Sequence, residues 1–277
     1  MCSRPPRLTS AVNYRRRTLA DASKYGRPSL ARRENVGRRA GFRAYCASYS
    51  EQNGPIPMTS GSQIDFPPIE TADAQGLLML GGEFSPAWLL AAYNRGIFPW
   101  PLDESPRLPC AWWCPDPRAI FEFENFHVSR RLARTLRSKR FEISLDRDFV
   151  GVIRGCAAPR HDDGGVWLTR ALQEALIALH HMGYAHSVEA WQNEELAGGV
   201  YGVALGGFFS AESMFHRQRD ASKVALAKLM EHLQQQGFTL VDVQVLTEHT
   251  TRMGATEIPR DDFLTRLQEA VTLPVKF

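Results

Sequence analysis

The segment from residue 186 to residue 246 constrains the fold most, because its patterning changes from that of strands to that of a helix and back. Its first part alternates between apolar and polar residues and is rich in Gly, Val and Phe, which is typical of adjacent strands. The predicted strands are His186–Gln192, Leu196–Ala204 and Phe208–Phe215, with turns at Asn193–Glu195 and Gly206–Gly207. Short turns between them predict an antiparallel meander.

A helix and a further strand are predicted to follow this meander. Between Asp220 and Gln236, apolar residues recur on one helical stripe, and Gly237 is suited to end the helix. Thr239–Leu246 has the composition of a buried strand. Three strands, a helix and a strand in this order resemble the fold of the acetyl-CoA-dependent N-acetyltransferases, and such a likeness of fold does not fix function.

The remaining pattern predicts an α+β protein in three parts. Residues 1–60 are predicted to be a disordered basic extension, since they are rich in Arg, Ser, Pro and Gly. Residues 61–122 are predicted to form a small N-terminal α/β domain, with a helix that begins after Ser85 and ends before Gly96. Residues 123–277 are predicted to form a larger acetyltransferase-like domain, with further helices after Ser129 and Thr169.

Charge is unevenly distributed along the chain. Residues 1–57 contain 12 basic and three acidic side chains, whereas the remainder contains 21 basic and 27 acidic ones. The basic segment allows three interpretations: an RNA-holding arm, an organelle transit peptide, or a dispensable extension ahead of a functional start at Met58. We favour the third. A mildly acidic body is not by itself the signature of a nucleic-acid-binding protein.

Several classes of protein are excluded by what the sequence lacks. Its apolar runs are far shorter than the roughly 20 residues of a membrane-spanning helix, so no membrane association is expected. Five scattered cysteines indicate a reducing compartment rather than a disulfide framework. Cys110 and Cys114 have no second ligand pair at zinc spacing, so no metal is expected. No P-loop or Gly-x-Ser-x-Gly motif occurs.

Three polar residues in apolar strands are candidates for chemistry. Asp242 and Gln244 are two residues apart and share one face of a strand whose other face carries valines. Glu212 lies between Phe and Met residues, a setting that suits recognition of an ammonium group. The alternative is that these acids are structural and hold a turn or a helix end.

The helix predicted after Ser129 is unusually basic. Six cations fall within the 11 residues from Arg130 to Arg140, without an intervening acid. A solvated face and an RNA-binding face are both compatible with this pattern, and the second requires salt-dependent binding.

Eight sequence blocks, in order, resemble the leucyl/phenylalanyl-tRNA–protein transferases. They span nearly everything from Phe66 to about Val271, while the first 60 residues have no counterpart in that family. The blocks are Gly76–Gly82, Arg95–Trp100, Trp112–Arg118, Gly183–Glu189, Gly199–Ala204, Glu212–Phe215, Ala221–Lys223 and Asp242–Leu246.

The resemblance implies a monomeric, cytoplasmic bacterial enzyme of the N-degron pathway that needs no cofactor. It implies transfer of Leu, or less readily Phe or Met, from aminoacyl-tRNA to proteins that begin with Arg or Lys. Glu212 would hold the donor's α-amino group, whereas Asp242 and Gln244 would orient the attacking amine and help remove its proton.

The resemblance also implies two binding surfaces. The tRNA backbone would contact Arg130, Arg131, Arg134, Arg137, Lys139 and Arg140. The donor side chain would contact Trp113, Trp167, Val200, Phe209, Met214, Leu226, Leu229, Leu233 and Val241. The family has larger apolar residues at positions 200, 229, 233 and 241, so the order of preference among Leu, Phe and Met stays open.

Two other functions are compatible with parts of the sequence. An acetyl-CoA-dependent N-acetyltransferase fits the fold, but the pyrophosphate-binding loop expected before the main helix is replaced by Phe215–Asp220. A non-catalytic tRNA-binding protein fits the basic helix and predicts no discrimination between charged and uncharged tRNA.

Overall fold

The computed structural model describes residues 64–100, 110–158 and 168–277, so the predicted basic extension lies outside the described residues. The strands are β1 Leu77–Leu80, β2 Phe98–Pro99, β3 Ala111–Trp113, β4 Arg118–Phe121, β5 Glu142–Leu145, β6 Ala185–Gln192, β7 Glu195–Leu205, β8 Phe208–His216, β9 Leu240–Gln244 and β10 Thr256–Ile258. The α-helices are α1 Pro86–Tyr93, α2 Arg130–Arg137, α3 Phe149–Ala157, α4 Arg170–His181, α5 Ala221–Gln236, α6 Glu248–Arg252 and α7 Arg260–Ala270.

Side-chain caps start the helices where the sequence predicts them. Ser85, Ser129 and Thr169 each accept a hydrogen bond from the backbone N–H three residues later, at the start of α1, α2 and α4. Gly237 ends α5 in the left-handed conformation, with φ of 88°. The predicted helices at these positions are therefore confirmed.

Among the described residues, seven strands form the main sheet in the order β10-β4-β9-β8-β7-β6-β5. The predicted antiparallel meander is confirmed as β6, β7 and β8, and α5 crosses over to β9, which pairs with β8 in parallel. A small sheet, β1-β3-β2, lies in the N-terminal part. β4 precedes the predicted domain boundary at residue 122, yet it pairs with β9 of the main sheet. The α+β class is confirmed.

Alternate residues of the main sheet face two different apolar clusters. Tyr201 and Val203 contribute to a first cluster, which includes side chains of α3, α4 and the small sheet. Val200 and Ala204 contribute to a second cluster, which α5 covers. Within the part of the chain that the structure describes, no helix is both long and apolar enough to span a bilayer.

Pairing between β8 and β9 is short and ends beside two irregularities. The parallel partners run from Phe208 opposite Leu240 only as far as Ser210 opposite Asp242. On the other side of β8, Tyr201 pairs with Ser213 but Gly202 pairs with Ala211, which leaves Glu212 as an extra residue in a bulge. Bulges of this kind redirect a side chain out of the regular alternation, and they are common next to active sites.

A buried ion pair connects β4 to β9. The Arg118 guanidinium makes two hydrogen bonds to the Asp242 carboxylate, Nε to Oδ1 at 2.8 Å and Nη2 to Oδ2 at 2.6 Å. The two side chains are 1% and 0% exposed. Burial alone would lower the pKa of Arg118, but the adjacent carboxylate outweighs burial and raises it above its ordinary value, so the charge is retained.

Replacing Arg118 by Met tests this ion pair. Arg118→Met leaves the Asp242 carboxylate buried without its counter-ion, so we expect a loss of about 3–5 kcal/mol in the free energy of unfolding measured with urea. Arg118→Met combined with Asp242→Asn removes both charges and should recover most of that loss. A double variant no more stable than Arg118→Met would contradict the ion-pair account.

Candidate active site

A continuous hydrogen-bonded network joins β8 to the end of β9. The Ser210 hydroxyl lies 2.8 Å from Glu212 Oε1 and 3.2 Å from Asp242 Oδ2, and it accepts a hydrogen bond from Gln244 Nε2 at 2.9 Å. Gln244 Nε2 also donates to Glu212 Oε1 at 3.1 Å. The structure thus brings together the three polar residues that the sequence singles out, with Ser210 at their centre.

Asp242 is fully engaged by protein groups. Its Oδ1 accepts from Arg118 Nε and from the backbone N–H of Gln244, the latter at 2.9 Å. Its Oδ2 accepts from Arg118 Nη2 and lies within reach of Ser210. A wholly buried carboxylate with both oxygens occupied is suited to positioning its neighbours rather than to contacting a substrate.

Gln244 adopts an unusual backbone conformation. Its φ is 61°, in the left-handed region that residues with a side chain rarely occupy. The hydrogen bond from its N–H to Asp242 stabilises this turn, and Val243 is the extra residue in a bulge opposite β4. Strained residues of this kind cluster at functional sites. Since Nε2 of Gln244 donates to Ser210 and Glu212, its Oε1 is the atom left to accept a hydrogen bond.

Glu212 has a strongly perturbed carboxyl group. The side chain keeps some accessible surface, but desolvation by the surrounding protein raises its pKa to about 7, although the hydrogen bond from Ser210 opposes this shift. Burial raises the pKa of Tyr93 well above its ordinary value, and the charge of Glu212 adds to that effect. The phenol therefore stays protonated.

The residues predicted to bind the donor side chain lie on both faces of the sheet. Phe208 and Leu240 share a sheet face with Ser210 and Asp242, because each lies two residues before one of them on the same strand. That face belongs to the first cluster, which also contains Trp113. The others belong to the second cluster or pack on it, and they come from β7, β8, β9 and α5: Val200, Phe209, Met214, Leu226, Leu229, Leu233 and Val241. Trp167 lies outside the described residues. The polar network and this apolar set meet where the β8–β9 pairing ends.

The six predicted tRNA-binding residues form one exposed surface on α2 and the turn after it. All are exposed: Arg130, Arg131, Arg134, Arg137, Lys139 and Arg140. Arg131 also binds both carboxylate oxygens of Asp220 at 2.7 Å, at the N-terminus of α5. This ion pair links the basic helix to the helix that covers the second cluster.

Three residues in or beside the network were missed by sequence reasoning: Arg118, Ser210 and Tyr93. Arg118 ends one of the family-like blocks, and a basic residue within buried strand sequence signals a buried partner. Its distance of 124 residues from Asp242 conceals which partner that is. Ser210 and Tyr93 carry no sequence signal that separates them from ordinary core residues.

The cysteine pair considered for zinc has the chemistry of buried thiols. Cys110 is partly buried and Cys114 fully buried. Burial raises the pKa of Cys110 to about 11, which keeps its thiol protonated. Within residues 64–100, 110–158 and 168–277, no three His, Cys, Asp or Glu side chains are grouped so as to hold a metal.

The raised pKa of Glu212 predicts a pH-dependent effect on stability. Because the folded-state value is about 7 and the ordinary value 4.5, wild-type protein loses stability as pH rises through this range. Glu212→Gln keeps an acceptor oxygen but does not ionise. We expect its melting temperature to match wild type at pH 5 and to exceed it at pH 8 by about 2–4 °C, the effect of roughly 1 kcal/mol in a protein of this size.

Glu257→Gln, on exposed β10, provides the control for that experiment and should shift the melting temperature equally at both pH values. If the difference between Glu212→Gln and wild type is the same at pH 5 and pH 8, the Glu212 carboxyl does not titrate as described.

Comparison with solved structures gives only slight likenesses. A GCN5-related N-acetyltransferase-like protein from Streptococcus suis aligns over 62% of this chain and 64% of its own, with 12% identity and a TM-score of 0.31. A match at this level is not evidence for fold or function.

Comparison with known sequences is decisive. Residues 120–268 match the family model of the leucyl/phenylalanyl-tRNA protein transferases, and residues 82–116 match that of their N-terminal domain. A leucyl/phenylalanyl-tRNA–protein transferase of Aromatoleum aromaticum is 51% identical over 75% of this chain and 87% of its own. The leucyl/phenylalanyl-tRNA–protein transferase of Solidesulfovibrio magneticus is 53% identical over 74% of this chain and 82% of its own. The chain belongs to the leucyl/phenylalanyl-tRNA–protein transferase family and is a transferase enzyme.

Proposed function

We propose that this protein transfers Leu, or less readily Phe or Met, from aminoacyl-tRNA to the N-terminal Arg or Lys of acceptor proteins. The product would be marked for N-degron proteolysis, and the enzyme would act as a cytoplasmic monomer. The observation that carries the proposal is the position of Glu212, a carboxyl group with a pKa of about 7 beside an apolar cluster.

The donor's aminoacyl group fits the two halves of this site. Its α-ammonium group is a cation that pairs with ionised Glu212, while its side chain enters the apolar set between β8, β9 and α5. Removal of the charged donor from water strengthens this pairing. Pocket volume separates similar apolar side chains by only about 1–3 kcal/mol, in accord with a preference rather than strict specificity for Leu.

Gln244 binds and orients the acceptor amine in this proposal. Its Oε1 accepts a hydrogen bond from the incoming α-amine, and this orients the nitrogen lone pair toward the ester carbonyl. Asp242 fixes Gln244 through the backbone N–H and through Ser210, so it acts as a positioning residue.

The chemistry is aminolysis of an ester that is already activated. The amine nitrogen forms a bond to the carbonyl carbon, the carbon–oxygen bond to the terminal ribose breaks, and the ribose oxygen receives a proton as the amine nitrogen loses one. No nucleotide hydrolysis is needed, because the ester supplies the driving force. Holding the amine and the ester close together in a reactive orientation supplies most of the rate enhancement in such a reaction.

The basic surface on α2 is the proposed binding site for the tRNA backbone. Its exposed guanidinium groups can each neutralise a phosphate, so affinity should fall steeply with salt. The ion pair between Arg131 and Asp220 connects this surface to α5, which covers the second cluster. The enzyme would thus bind the RNA body and the amino acid on connected elements.

One assay tests the proposed function. Leucyl-tRNA labelled in its leucine is supplied with a peptide that begins with Arg, and label in the peptide is measured. We expect transfer to Arg- and Lys-peptides and none to a matched Ala-peptide. Label from acetyl-CoA in place of leucyl-tRNA would instead indicate an acetyltransferase. Equal binding of charged and uncharged tRNA without transfer would indicate a tRNA-binding protein.

Asp242→Asn tests how the site works. We expect it to bind leucyl-tRNA with nearly wild-type affinity but to transfer leucine at least about 100-fold more slowly, because Gln244 loses its anchor and small displacements of reacting groups are that costly. Single-turnover rates and filter binding separate the two effects.

Glu189→Gln is the matched control, since Glu189 is another wholly buried carboxylate of the same sheet, hydrogen-bonded to Ser144 and Ser187. It should transfer leucine at the wild-type rate wherever it remains folded. Undiminished transfer by Asp242→Asn would refute the role given to Asp242.

A further inference from the structure

Phe277 inserts its ring into an aromatic stack on the face of the sheet that carries the second cluster. The ring stacks on His186 of β6 with centroids 4.3 Å apart, and on Phe209 of β8 at 5.7 Å. His232 of α5 approaches it edge-on at 4.6 Å. The segment after α7 therefore reaches Phe209, a residue of the proposed donor pocket. The proposed transfer chemistry does not require this contact.

Phe209 depends on its neighbours for its position. Gly202 lies beneath its ring, and a Cβ there would come within 2.4 Å of Phe209 Cε1. Phe238 touches the ring edge-on at 6.2 Å, while Phe277 covers it face to face. Phe209 is completely buried. The ring is thus confined by the backbone of β7 beneath it and by Phe277, which is stacked against its face.

His186 provides a fixed support on the far side of Phe277. Its Nδ1 lies 2.7 Å from Asp146 Oδ2 and its Nε2 lies 3.2 Å from the carbonyl oxygen of Gly183. His186 also pairs directly with Gly202 across β6 and β7. Since His186 is held at both nitrogens, Phe277 is wedged between an anchored ring and one held only by packing.

Phe209 has the largest side chain among the predicted pocket residues of the second cluster, the others being Val, Leu and Met. A change in its tilt therefore alters the depth of the pocket more than a change in any neighbour. We propose that Phe277 is a positioning residue for donor selectivity, which holds Phe209 in place and thereby limits the length of the side chain accepted. This inference rests on the proposed aminoacyl transfer.

Removing the Phe277 ring opens space beside Phe209. In Phe277→Ala the Phe209 ring can tilt away from the pocket, which then accommodates a longer donor side chain. We expect the ratio of kcat/KM for leucine to that for phenylalanine to fall about tenfold, the effect of roughly one or two methylene equivalents of pocket space. The change should appear in KM, because pocket depth acts on substrate and transition state alike.

The experiment uses one tRNA body charged in turn with leucine and with phenylalanine, so that RNA contacts are identical. Phe277→Leu keeps most of the volume and should shift the ratio less, while Phe277→Tyr keeps the ring and should restore the wild-type ratio. Phe126→Ala is the matched control, since Phe126 packs on the same cluster but contacts Phe121 rather than Phe209. It should leave the ratio unchanged.

The outcomes separate this inference from the proposed function. The inference alone is overturned if wild type transfers both amino acids and folded Phe277→Ala has a leucine-to-phenylalanine ratio of kcat/KM within twofold of wild type. A shift of the same size in Phe126→Ala also overturns it, since any loss of cluster packing would then suffice. A wild-type chain that transfers neither amino acid overturns the proposed function and this inference together.

Discussion

The two-pronged contact between Arg118 and Asp242 determines how the parts of this molecule meet. The guanidinium lies between the rings of Phe98 and Phe263, at 4.7 and 4.5 Å from their centroids, and its Nη1 donates to the Gly96 carbonyl at 2.9 Å. One side chain of β4 therefore contacts β2, α7 and β9. Because burial of two charges is favourable only with such complete pairing, these elements are held in a single arrangement.

That arrangement allows an unfavourable site to persist at the end of β9. A left-handed glutamine and a desolvated carboxyl group each reduce stability, and both lie beside the strand end fixed by Asp242. Their value is functional in the proposed mechanism: a rigid amide oxygen for the incoming amine and a carboxylate that gains from meeting an ammonium group. The ordinary packing of the two apolar clusters offsets the cost, as expected where stability and activity conflict.

Sequence reasoning recovered the regular parts of the fold and the polar residues of the site. Period-two alternation in β6, β7 and β8 and the apolar stripe of α5 predict their own elements, because the patterns are local. The bulge at Glu212 and the left-handed turn at Gln244 could not be predicted, since neither position carries a glycine or another turn signal. The Arg118 contact could not be predicted either, because it joins distant segments whose pairing only the folded sheet determines.

The charge state of Glu212 tests the account most directly. A ¹³C NMR titration of its carboxyl carbon, assigned by comparison with Glu212→Gln, can follow the group in the free protein and with a non-hydrolysable leucyl-adenosine amide. We expect a pKa of about 7 in the free protein and a clear fall when the ligand's ammonium group binds. A free-protein value near the ordinary 4.5, or a raised value that the bound ligand leaves unchanged, would contradict it.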